Sequence, residues 1–189
     1  MKHLYPALTA LAVIVLSSSA QAAVHTVYTN HTLALPGVGT IPVATPLQEL
    51  GNSQGKLKVE ITGVQPNGNH RAIFKSADQR IVLAALTPEM AERITAGKSF
   101  TDAYGKPWRH VSLTLQIPDD VTASQQPLWH QAEQLRDTAC SVCHAAPQPG
   151  QLSANAWPAT VRSMGGRTTL SQDELHLLTA YYQYNAAQH

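Results

Sequence analysis

Cysteine is scarce: the 189-residue chain has two, Cys140 and Cys143. That excludes a disulfide-stapled scaffold and a four-sulfur metal site. Basic excess is also missing, because 13 Lys and Arg stand against 12 Asp and Glu and Lys2 falls in an expected leader. With no surplus of positive charge to neutralise phosphates, nucleic acid is excluded as a partner. Charged residues make up only 13% of the chain against 43% hydrophobic, which excludes disorder and leaves enough apolar material for a core. There is no internal repeat and no low-complexity tract, and past the leader no apolar run reaches the roughly 20 residues that span a bilayer.

What is present begins with Lys2, an apolar run from Leu8 to Leu16, a serine stretch, and Ala20-Gln21-Ala22. This order is that of a secretory signal peptide over 1–22, cleaved after Ala22. The expected mature protein is exported to the periplasm and carries no membrane span.

Two periods divide the rest. Over 23–124 the pattern is strand-like and clearest in Lys56 to Ile61 and Val111 to Ile117, which alternate strictly. Turn signals lie at Gly51-Asn52, Pro66-Asn67-Gly68 and Tyr104 to Pro107, and Thr87-Pro88 opens a short helix containing Met90. Over 125–189 the period is helical. Pro127 opens one helix, a second lies near Trp157 to Met164 and ends at Gly165-Gly166, and Ser171 with Glu174 forms the capping box of a third. The expected fold class is α+β: a small all-β, SH3-like barrel followed by a small all-α domain, each folding separately.

Cys140-Ser141-Val142-Cys143-His144 has the C-x-x-C-H form of a c-type haem attachment site. Two thiols at this spacing can add to the two vinyl groups of one porphyrin, and the following His144 then lies beneath the iron as proximal ligand. The expected cofactor is one covalent haem c, which makes the expected all-α part a cytochrome c-type haem domain and whose buried faces would supply core that so short a helical unit lacks. A thioredoxin-type pair would need a strand before the motif, zinc would need more ligands, and a plain disulfide would leave His144 coincidental.

A second axial ligand is normally Met or His. Met164, in the helical half, is the candidate; packing against Trp157 and Val161 is its other reading, and His130 and His176 are the alternative ligands. Gly165-Gly166 would let backbone approach the ring. Trp157 can line the haem or simply pack, as can Tyr181 and Tyr182, and Arg167 can pair with a propionate or stay solvated. Met90 is expected in the core of the strand half.

On these residues the chain resembles the C-terminal region of the membrane-bound pentahaem cytochromes c that feed periplasmic trimethylamine N-oxide and related S- or N-oxide reductases. In the helical half the resemblance is carried by the Cys140 to His144 motif, Ser153 to Trp157, Met164 and Leu170-Ser171. In the strand half it is carried by Gly39 to Pro42, Glu49 to Gly51 and Trp108 to Leu113. It implies electron transfer to a molybdenum-containing oxide reductase. Those proteins begin with an anchored four-haem module that takes electrons from quinol, which is not seen here, so a membrane-anchored multihaem cytochrome is the expected donor. The expected function is a soluble one-electron carrier rather than an enzyme; a haem-based sensor module is the alternative.

Overall fold

The computed structural model describes residues 25–68 and 70–187, so the expected leader lies outside the described residues. The strand-rich part supplies β1 (His25–Thr29), β2 (Leu33–Leu35), β3 (Gly39–Ile41), β4 (Pro46–Ser53), β5 (Lys56–Pro66), β6 (Ala72–Phe74) and β7 (Val82–Leu86). After α1 (Pro88–Ala91) come β8 (Thr95–Thr101), β9 (Pro107–Pro118) and β10 (Val121–Thr122). All ten join one antiparallel sheet, in the order β10-β1-β4-β5-β6-β7-β3-β2, with β9 on β5 and β8 on β9.

The long β5–β9 ladder shows why this register holds. Leu57 lies opposite Ile117, Val59 opposite Leu115 and Ile61 opposite Leu113, so two alternating strands put their apolar residues on one face. A shift of one residue would turn every one of them to solvent. Beyond Ile61 the ladder passes Gly63, where a Cβ would run into the Phe74 carbonyl oxygen, so glycine lets β6 approach β5. The sheet interior buries these residues with Ile41, Leu47, Ile73, Leu83 and Met90, the last supplied by α1. Thr87 caps α1 by accepting from the Met90 N–H, with Pro88 in the first turn.

Three further helices follow: α2 (Gln126–Leu135), α3 (Trp157–Gly165) and α4 (Gln172–Tyr184). Ser171 and Glu174 form the capping box of α4. The expected fold class is overturned here. Among the described residues the protein is mostly β, with four short α-helices around a ten-stranded sheet, and its C-terminal part is not a small all-α cytochrome c domain. The physical reason is the second core, in which Val43, Ala44 and Ile81 from the strand-rich part are buried with Leu128, Trp129, Trp157, Val161, Leu178 and Tyr182. Helices of 10, 9 and 13 residues bury their apolar faces partly on the β3–β4 and β6–β7 connections instead of closing a core alone. Polar contacts cross the same seam: Gln125 Nε2 donates to the Ala44 carbonyl at 2.9 Å, and Asn155 reaches the β6–β7 turn.

Candidate functional site

The Cys140 to His144 motif follows directly on α2. The helix widens into a single π turn over Arg136–Cys140, which ends on the first cysteine, and Ser141 to Cys143 continue as a turn. Such widened turns often mark functional sites, because the extra residue re-aims the side chains that follow. Arg136 braces the turn: its Nε donates to Asp137 at 2.8 Å, and its Nη1 donates to the Tyr181 hydroxyl at 3.2 Å. Tyr181 in turn donates to Glu133 at 3.2 Å.

Cys140 is half-buried, while Cys143, His144 and the intervening Val142 are exposed. Burial pushes the Cys140 thiol above its ordinary pKa, a shift that nearby Arg136 only partly opposes. It therefore stays protonated at neutral pH and lacks the lowered pKa of an activated redox thiolate. The Nδ1 of His144 lies 2.9 Å from the Ala145 carbonyl oxygen. A carbonyl only accepts, so Nδ1 carries the hydrogen; in the neutral ring this leaves the lone pair on Nε2, the tautomer found in metal-binding histidines with an orienting partner.

One cleft of about 670 Å³ gathers the expected site residues: Cys140, Cys143 and His144 line it together with Met164, Arg167 and Leu170. That volume falls in the range of about 300–1,000 Å³ usual for cofactor and ligand pockets. Met164 is half-buried at the penultimate position of α3. The reason expected for the neighbouring glycines is corrected: a Cβ on Gly165 would meet the Leu175 side chain at 2.5 Å, so this glycine lets α3 pack on α4, and Gly166 ends the helix.

The alternative ligands stand elsewhere. His130 is exposed on α2 beside Gln134, and His176 on α4 lies 3.4 Å from Thr32, where it lines separate crevices. Neither lines the cleft. Trp157 is fully buried, stacked on Tyr182 with ring centroids 4.1 Å apart, and its indole N–H donates to the Pro149 carbonyl at 3.0 Å. It is a packing residue and does not line the cleft. Tyr182 donates to the Pro147 carbonyl at 3.1 Å, and burial pushes its pKa up to about 12. Sequence reasoning missed Leu135 and Glu174 as wall residues, since nothing in their spacing relates them to the motif. Chemically, the cleft offers two thiols, an oriented imidazole nitrogen and a thioether around a partly apolar space.

Comparison with known proteins adds three relatives and one family. The profile of the TorC third cytochrome c domain family matches residues 17–122, stopping at the end of β10 and short of the Cys140 to His144 motif. The chain is similar to the cytochrome c-type protein TorY of Escherichia coli, with 35% identity over 161 residues, 85% of this chain and 44% of that protein. It is 31% identical over 126 residues to TorY of Haemophilus influenzae, covering 66% of this chain and 34% of that one. Against TorC of Escherichia coli it is 27% identical over 152 residues, 79% of this chain and 39% of the relative. A match of 161 residues in a 189-residue chain cannot avoid the motif, so the similarity to TorY extends through Cys140 to His144. The chain spans less than half the length of these relatives. No solved structure matches it. Among the described residues, no helix is long and apolar enough to cross a membrane.

Proposed function

Because this chain belongs to the TorC third cytochrome c domain family, we propose that it is a single-haem c-type electron carrier whose group is held in the cleft beside α3. The observation that carries this reading is that Cys140, Cys143, His144 and Met164 line one cleft. The residues fit the group: an exposed and a half-buried thiol lie at its edge, His144 Nε2 is left bare by the Nδ1 hydrogen bond, and Leu135 and Leu170 offer apolar contact.

In this reading Cys140 and Cys143 would hold the group covalently, each by addition of its thiol S–H across one vinyl double bond, so that nothing leaves. Bound haem supplies a one-electron couple between ferrous and ferric iron. The chain's own residues set its environment. The Ala145 carbonyl orients the His144 ring so that Nε2 is the nitrogen free to ligate. Met164 would offer its thioether to the iron, which would raise the potential relative to a second histidine and keep small ligands off the metal. Leu135 and Leu170 would offer apolar contact that excludes water, and Arg167, which also lines the cleft, could pair with a carboxylate of the group.

The protein works in the periplasm, following the leader expected over 1–22. The resemblance drawn from its motifs supports a membrane-anchored multihaem cytochrome as donor and a molybdenum-containing S- or N-oxide reductase as acceptor. The test is the visible spectrum of protein exported with the cytochrome c maturation machinery. A far-red thioether band that disappears in Met164→Ala, together with new carbon monoxide binding, supports the assignment. An unchanged spectrum in Met164→Ala refutes Met164 as ligand.

A further inference from the structure

The segment that leads into α3 is tied to the sheet by one side-chain amide. Asn155 Oδ1 accepts from the Arg80 backbone N–H at 2.8 Å, and its Nδ2 donates to the Asp78 carbonyl at 2.6 Å. Both backbone groups belong to the turn between β6 and β7. The side chain's one acceptor and one of its donors are thus matched to a backbone donor and acceptor, which fixes the amide's orientation.

The surrounding contacts convert this clasp into a hold on the helix. On the other side of Asn155, Gln183 Nε2 on α4 donates to the Ala154 carbonyl at 3.0 Å, and Trp157 is locked by its stack on Tyr182. No side-chain cap secures the start of α3. Its entry is therefore set by tertiary partners rather than by a local cap. Met164 lies roughly two turns further along the same short helix, on the cleft.

We propose that Asn155 is a positioning residue: by clamping the entry of α3 to the β6–β7 turn, it sets where Met164 stands on the cleft. The inference rests on the reading of Met164 as iron ligand, and it gives the sheet a task in the redox site, that of holding the wall that bears the thioether.

The experiment uses the full, haem-loaded chain with two variants. Asn155→Ala removes both hydrogen bonds; the residue is exposed, so the change opens no core void. Asn155→Asp keeps the acceptor for Arg80 but opposes a carboxylate to the Asp78 carbonyl. Each should weaken the far-red band, raise affinity for added imidazole about tenfold, and speed hydrogen exchange of the α3 amides by a similar factor, the loss expected from one or two modest hydrogen bonds. The β5 and β9 amides should keep their protection, which separates loosening of α3 from general destabilisation. Wild-type imidazole affinity and α3 exchange in both variants overturn the proposal. If Met164→Ala also binds imidazole like wild type, the ligand reading beneath it has failed; if only the Asn155 variants are silent, the clasp alone is refuted.

Discussion

Trp157 on α3 stacks on Tyr182 on α4 with ring centroids 4.1 Å apart and planes inclined by 19°, joining the two helices behind the wall that carries Met164. Both rings are completely buried. Trp157→Ala should therefore cost about 3–5 kcal/mol, the usual penalty for removing a buried large aromatic, and Trp157→Phe distinctly less. Urea unfolding checks this; a loss well below about 1 kcal/mol for the alanine variant would mean the stack is not part of the core.

Burial holds Tyr182 protonated in the folded protein up to about pH 12, against an ordinary value of 10.0, and shifts Tyr181 and Tyr184 in the same direction. A folded-state pKa above the unfolded one means that unfolding releases the proton more readily as pH rises. Stability should be intact below pH 10 and fall steeply between there and about pH 12. Urea midpoints measured across that window should decline more in the wild type than in Tyr182→Phe. Parallel curves would show that Tyr182 does not couple to alkaline unfolding.

Val43, Ala44 and Ile81 are buried against the helices, so the segment 125–189 excised alone would expose the face that covers them. The haem-free excised piece should lose the near-ultraviolet dichroism of Trp129 and Trp157 that the full chain shows. Native-like dichroism and a cooperative transition in the piece would establish that it closes its own core.

Much of this architecture was readable where the signal is local. The alternation of Lys56 to Ile61 and Val111 to Ile117 became a registered ladder, and the Thr87-Pro88 and Ser171-Glu174 starts became capped helices. Other elements carry no such signal. β8 is exposed along nearly its whole length, so its sequence has no buried face to display. Gly51-Asn52 reads as a turn but lies inside β4, beside a register shift between Glu49 and Gly51; the reversal comes at Gln54 and Gly55, both at positive φ. Periodicity reports that a face is buried without naming what covers it, so the helical part looked self-contained when its partners were Val43, Ala44 and Ile81. The motif was legible because its chemistry sits in five consecutive residues. Asn155 stood out only as part of the Ser153 to Trp157 stretch, and its tie to the strand-rich part was not legible, because it depends on two backbone groups on a distant turn.

The measurement that bears most directly on the central claim is the intact mass, under denaturing conditions, of protein exported alongside the cytochrome c maturation machinery. The mature chain should carry the added mass of one haem that acid-acetone does not extract, and a Cys140→Ala, Cys143→Ala variant should carry none. A wild-type mass equal to that of the bare chain, with Cys140 and Cys143 free or joined to each other, would contradict the assignment of this protein as a haem-bearing electron carrier.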